Sequence, residues 1–154
     1  MGLVTIRECS VTEFCASDNL DELFSEYAAE SSIEGLPVYK VNFETYKVLD
    51  QAGVIKLACA YSGDVIVGFI SVLVTVLPHY SETLATVESF FVAKQYRAGG
   101  AGLRLLRWAE TLVQEAKLPG LLVSAPAASI LSTILPKLGY NNTNLVFFKK
   151  LPNA

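Results

Sequence analysis

A chain of 154 residues with 52% hydrophobic and only 18% charged side chains is long enough to bury a core and too apolar to be disordered. Its formal charge of −3 argues against a broad nucleic-acid surface, which needs clustered Lys and Arg, and sits more easily with basic partners. The longest apolar run, Val65 to Pro78, falls short of a bilayer span and is interrupted by Gly68, Ser71 and Thr75, so no membrane segment is expected.

The first residues, Met1 to Arg7, lack a basic region followed by an apolar stretch and read as a strand rather than a signal peptide. A myristoylation match fails because Ile6 stands where Ser or Thr is wanted. Leu3 to Val11 alternates apolar and polar residues, as a half-buried strand should. Cys9, Cys15 and Cys59 show no metal-ligand spacing, and the single histidine, His79, does not complete a zinc site with them. No metal is therefore expected, and a reducing, cytoplasmic home is the simplest account of three cysteines.

A helix is predicted after the cap candidates Ser17 and Asp18, with Leu20, Leu23, Phe24, Tyr27 and Ala28 on one face. Its acids, Asp21, Glu22, Glu26 and Glu30, read as a solvated face or as a rim that attracts a cationic amine. Gly35-Leu-Pro37 breaks the pattern. Asn42 then caps a second helix with Phe43, Tyr46 and Leu49 inward, closed by Gly53. Ile55–Tyr61 and Val65–Leu77 form a hairpin across Ser62-Gly63-Asp64, and residues 78–83 lead to a third strand, Leu84–Val92. A helix with Leu103, Leu106, Ala109, Leu112 and Val113 inward follows residue 102 and ends at Pro119-Gly120. Leu121–Ala125 reads as a short buried strand, Ala127–Leu138 as a helix shortened by Pro136, and Leu145–Lys150 as a final strand. There is no internal repeat or linker, so residues 1–154 are expected to form one domain.

The segment with the most chemistry is Gln95-Tyr-Arg-Ala-Gly-Gly-Ala-Gly-Leu103, a glycine-rich turn between the Leu84–Val92 strand and a helix. Gly99, Gly100 and Gly102 remove side chains where the helix starts, at a cost of roughly 0.5–1 kcal/mol each relative to Ala. Helix N-termini carry unpaired N–H groups and partial positive charge, so a bare first turn lets a phosphate or pyrophosphate approach, and Arg97 adds a charge at its mouth. The plain alternative is a tight turn in which Gly serves conformation only. The turn lacks the Gly-Lys-Ser/Thr of nucleotide triphosphate loops and the G-x-G-x-x-G of dinucleotide sites.

The pattern it does fill, R-x-x-G-x-G through Arg97, Gly100 and Gly102, resembles the acetyl-coenzyme A pyrophosphate loop of the GNAT superfamily of N-acetyltransferases. Leu138-Gly139-Tyr140 is similar to the family's leucine-glycine-aromatic element, and the predicted order of elements matches that family along nearly the whole chain. The resemblance implies an α/β (α+β) GNAT fold: a mixed, mostly antiparallel central sheet flanked by helices, with a splayed strand pair holding the coenzyme. It further implies transfer of an acetyl group from acetyl-CoA to an amine of a small molecule, protein or peptide by direct attack. By position, Phe90, Phe91 and Val92 would offer backbone groups to the pantetheine arm. Arg97, Ala98, Gly99, Gly100, Ala101, Gly102 and Leu103 would wrap the pyrophosphate.

Within that resemblance the chemistry distributes over a few residues. Glu88, four positions before Val92 and so expected on its face of the strand, is the candidate base acting on the amine through water; its alternative is a structural carboxylate. The Val92 amide is the oxyanion donor by family position. His79, in the turn before the Glu88 strand, is a candidate base if the hairpin folds over the site, and otherwise a surface residue. Many members place a thiolate-protonating tyrosine where this chain has Leu135, and an asparagine near the position of Ala128 is also missing. The missing tyrosine keeps a second reading open, a non-catalytic or regulatory acyl-CoA-binding module. Ser124, Ser129 and Ser132 are candidate polar contacts to the pantetheine. Dimers are common in the family, which makes a homodimer an expectation by analogy alone. The Pro78–Ser81 segment, the strand and the loop together look like small family members of tailed bacteriophages and bacteria, which would place the protein in the host cytoplasm.

Overall fold

The β-branched and aromatic runs of the chain pair into one five-stranded sheet of order β1-β2-β3-β4-β5. The computed structural model describes residues 2–37 and 42–152; positions 1, 38–41 and 153–154, which the single-domain expectation covers, lie outside them. β1 (Val4–Glu8), β2 (Ile55–Ser62), β3 (Val65–Leu77) and β4 (Glu82–Val92) are antiparallel neighbours, and the two-residue β5 (Leu121–Leu122) lies parallel to β4. The sheet is mixed and mostly antiparallel, as expected.

Alternation along β2 and β3 sends side chains to both faces. One face carries Ala58, Ala60, Val67, Ile70 and Val72 against α4 (Ala101–Glu115), whose inward stripe is Ala101, Leu105, Leu106, Ala109 and Val113. Leu103, expected inward, is 41% exposed instead. The other face carries Leu57, Cys59, Tyr61 and Phe69 against α1 (Val11–Cys15), α2 (Leu20–Ser31) and α3 (Phe43–Gln51). Phe69 is fully buried at its centre, 5.0 Å from Phe24 in a stack and 5.4 Å edge-on from Phe14.

Local chemistry accounts for where elements differ from expectation. Ser10 ends the first strand early because its hydroxyl accepts the Glu13 N–H at 3.0 Å and caps the short α1. α2 starts after Asn19 rather than Ser17 or Asp18, and the Asn19 amide donates to the Ile66 carbonyl at 2.8 Å, tying the helix to β3. Asn42 caps α3 and Gly53 follows it at φ +70°, both as expected. The helix expected from Ala127 begins only at Ile130, as α5 (Ile130–Ile134), because Ala128 adopts φ +58° and Ser129 is the cap. A 3-10 turn over Leu135–Leu138 contains Pro136.

The largest difference lies at the end of the chain. Leu145–Lys150 forms no ladder, and Leu145, Val146 and Phe147 are 75%, 86% and 87% exposed. β5 is too short to offer a partner edge: the expected strand over Leu121–Ala125 is realised only at Leu121–Leu122, beside Pro119 and ahead of Pro126.

Gly68 is required by close approach. A Cβ there would stand 2.9 Å from the Phe91 carbonyl oxygen and 3.2 Å from the Val92 Cα, both backbone atoms. Gly68→Ala is expected to cost about 1–3 kcal/mol in denaturant unfolding, since the β3–β4 ladder must open to admit the methyl. An unchanged midpoint would show that the ladder gives way freely.

Candidate active site

β4 carries a bulge. Ser71 of β3 faces Ser89 and Val72 faces Val87, so Glu88 is an extra residue without a partner on β3. The bulge resets the alternation. Ala85 and Val87 point to the α4 face before it, as Phe90 and Val92 do after it, while Phe91 joins the cluster under α1–α3. Glu88 accordingly does not share a face with Val92, contrary to the expectation from even spacing. Its carboxylate turns to the α3 side, where Oε2 accepts the Ser71 hydroxyl at 2.6 Å and lies 3.5 Å from the Tyr46 hydroxyl. Burial, and then the charge of Glu88, push the Tyr46 phenol well above its ordinary pKa, so it remains a protonated donor.

Beyond the bulge the strand pair opens. β5 pairs with β4 only at Ala85 and Thr86, although β4 continues to Val92. Ala93 N–H donates to the Val67 carbonyl at 2.8 Å. The alternation of an antiparallel ladder then turns the Phe91 backbone toward β3 and the Phe90 and Val92 groups toward the gap. The Val92 carbonyl accepts the Arg97 Nε–H at 2.8 Å from that side. The Val92 N–H is thereby aimed into the space between β4 and β5.

After Val92 the chain makes a 3-10 turn, Lys94–Gly99, and enters α4. Of the three glycines only Gly100, at φ +76°, needs to be Gly for conformation. A Cβ on Gly99 would meet nothing within 4 Å, and one on Gly102 would make ordinary contacts of 3.7 and 3.8 Å with Phe90 and Val92. Neither packing nor backbone conformation explains these two bare positions. α4 has no side-chain cap, so its first N–H groups are open to an anion. Ala98 and Leu103 are exposed beside them, whereas Ala101 is fully buried and could contribute only backbone.

Arg97 is tied down rather than free at the mouth. Besides the Val92 carbonyl it holds Glu30 of α2 at 2.7 Å, and its guanidinium stands 5.3 Å from the Phe91 ring centre. Glu26 accepts the Lys94 N–H at 3.1 Å. Two of the α2 acids thus clamp the turn, a role that neither reading of that helix face had included. Both partners of the ion pair are about two-fifths exposed, so the pair itself contributes less than about 1 kcal/mol. Arg97→Ala is expected to lower stability by about 1–2 kcal/mol, the Val92 bond included, and to raise the coenzyme KM severalfold. Arg97→Lys should restore little, because an ammonium cannot reproduce the Nε and Nη2 fork. Full recovery of KM in the lysine variant would refute the clamp.

The remaining candidates fall elsewhere. His79 stands at the tip of the β3–β4 hairpin, ring to ring with Tyr80 at 4.3 Å. Glu82 starts β4 six residues before Glu88, about 20 Å along a strand, so His79 is not brought to Glu88 or Val92. Leu135 is 7% exposed, packed in the core. Ser129 and Ser132 are engaged in capping α5. Ser71, Ser89 and Tyr46 were not read as site residues from the sequence, which placed Tyr46 only on the inward face of its helix. Their one signal was a hydroxyl, Ser71, inside the apolar run of β3. Among the described residues no three His, Cys, Asp or Glu side chains cluster as a metal site, and no helix is long and apolar enough to cross a membrane.

A splayed strand pair, a bulge with a carboxylate and a glycine turn opening into an uncapped helix define a class of acyl-transfer fold, and comparison agrees. The model of the acetyltransferase (GNAT) family matches residues 17–128, so the chain belongs to that family and is an acyltransferase. Similar solved structures include an aminoglycoside acetyltransferase from an uncultured soil metagenomic sample in complex with sisomicin, at 14% identity over 96% of each chain with a TM-score of 0.73. Glucosamine-6-phosphate N-acetyltransferase from Arabidopsis thaliana is 13% identical over 96% of this chain and 97% of its own, with a TM-score of 0.72. Ribosomal-protein-alanine N-acetyltransferase from Brucella melitensis biovar Abortus 2308 is 15% identical over 95% and 96%, with a TM-score of 0.68. At these identities the likeness concerns the fold. No curated protein matches the chain by sequence.

Proposed function

We propose that this protein transfers the acetyl group of acetyl-CoA to an amine. The observation that carries the reading is the continuous surface from the Glu88 bulge, along the open edge of β4, to the side-chain-free start of α4. The Phe90 backbone groups and the Val92 N–H, which face the gap, suit a pantetheine arm lying as an added strand. The amides of residues 98–103 and the α4 dipole suit a pyrophosphate.

A lysine-like amine, with pKa about 10.4, costs roughly 4–5 kcal/mol to deprotonate at pH 7, and Glu88 offers a carboxylate to take that proton through water. As the amine attacks the thioester carbon, its oxygen becomes an oxyanion, and the Val92 N–H faces the gap where that charge would form. Collapse breaks the C–S bond. With Leu135 aliphatic, the thiolate takes its proton from solvent. The acceptor is an amine of a small molecule or of a peptide; the neighbours named above are, by name, acetyltransferases of both kinds of acceptor. The three free thiols suit a reducing compartment, and we place the reaction in the cytoplasm.

The reading is tested by a coenzyme A thiol-release assay across polyamines, aminoglycosides, amino acids and peptide N-termini. Turnover on one class is expected. Tight acetyl-CoA binding without turnover across a broad panel would leave only a coenzyme-binding module.

A further inference from the structure

Ser71 is fully buried in the middle of β3 and its hydroxyl has three polar neighbours: Glu88 Oε2 at 2.6 Å, Ser89 Oγ at 2.7 Å and Ser89 N at 3.1 Å. A serine has one proton to donate and two lone pairs to receive. An ionised carboxylate only accepts, so the Ser71 proton is committed to Glu88. The Ser89 hydroxyl must then donate to Ser71, and the Ser89 N–H fills the remaining lone pair. Every direction in this network is forced, and no capacity of Ser71 is left over. Ser89 is itself 4% exposed, so the two hydroxyls form a dry, oriented relay beneath a carboxylate that faces solvent.

The bulge is what brings two side chains, Glu88 and Ser89, to the one Ser71 hydroxyl. Alternation after Val87, which points to the α4 face, already turns Glu88 to the Ser71 side; the extra residue lets Ser89 pair with Ser71 and point to that side as well. An exposed glutamate on a strand samples several rotamers, and ordering its side chain costs conformational entropy. A 2.6 Å hydroxyl bond to one oxygen restricts those rotamers and leaves the other oxygen, Oε1, as the acceptor of the outward proton.

We infer that Ser71 is a positioning residue for the base Glu88: it pins Oε2 through the Ser89–Ser71 relay and so presents Oε1 to the acceptor amine. This rests on the reading of Glu88 as base given above. Tyr46, at the 3.5 Å limit of a hydrogen bond, is a minor partner in the same arrangement.

The test is a double-mutant cycle on the full chain with the acetyl acceptor found by thiol release. Ser71→Ala is expected to lower kcat about tenfold with the acetyl-CoA KM unchanged, and to have no further effect in a Glu88→Gln background. Ser89→Ala should lower kcat less than Ser71→Ala does, since the Ser71–Glu88 bond survives it. Because an alanine beneath the bulge risks the fold, Ser71→Thr and Ser71→Val form a second pair of nearly equal shape. The threonine variant should retain most of the turnover and the valine variant should lose it. Equal loss in both, or the same tenfold loss with and without Glu88, would assign Ser71 to packing and overturn the inference. If Glu88→Gln alone leaves kcat intact, the base assignment itself fails, which separates the two conclusions.

Discussion

Glu88→Gln is expected to lower kcat by about 100- to 1,000-fold while leaving the acetyl-CoA KM within a factor of two or three. The magnitude is that of removing a positioned general base from an amine that must lose a proton before attack. The amide keeps the shape of the carboxylate and can still accept the Ser71 hydroxyl, so the bulge and the hydrogen-bonded serines beneath it should persist. Unfolding midpoints of the two proteins should therefore agree closely. The split between kcat and KM is informative because Glu88 lies off the path proposed for the coenzyme: its carboxylate turns toward α3, whereas Val92 and the glycine turn lie beyond the bulge. A variant that keeps full turnover would return Glu88 to the structural role that its partners also permit.

Gly102→Glu is expected to raise the acetyl-CoA KM by about 10- to 100-fold without lowering stability. The added Cβ meets only ordinary contacts with Phe90 and Val92, and replacing Gly in a helix gains up to about 1 kcal/mol. A carboxylate in the first turn also suits the positive end of the α4 dipole, by roughly 0.3–1 kcal/mol. The same charge occupies the place proposed for a pyrophosphate and repels it, which forfeits a charge-assisted interaction. Stability and coenzyme affinity should thus move in opposite directions. Thermal denaturation and coenzyme kinetics measure the two separately, and an unchanged KM would mean that the turn serves only to connect β4 with α4.

Much of this architecture was legible because its determinants are local. β3 runs from Val65 to Leu77 as its apolar run indicates, and Asn42, Gly53 and Gly100 mark ends by chemistry that a single residue carries. The elements that escaped depend on what lies across from them. Leu145–Phe148 has the composition of a strand, but a strand needs a ladder, and β5 supplies only two residues. α1 is too short for a helical period to show, and its one sign, Ser10, also fits a strand end. The glycine turn could be singled out as a candidate anion site from its neighbours in sequence. The network around Glu88 could not, because a bulge is a property of two paired strands, and nothing in the run from Leu84 to Val92 says where the extra residue falls.

That extra residue also governs how the gene can vary. Deletion of codon 88 would leave Val87 and Ser89 consecutive opposite Val72 and Ser71, an even ladder in which every other side chain keeps its face. Phe90 and Val92 would stay on the α4 face and Phe91 on the other, so the core would keep its register while the carboxylate was lost. The bulge therefore uncouples this carboxylate from the core of the strand, and a gene that lost the one codon should still encode a folded protein.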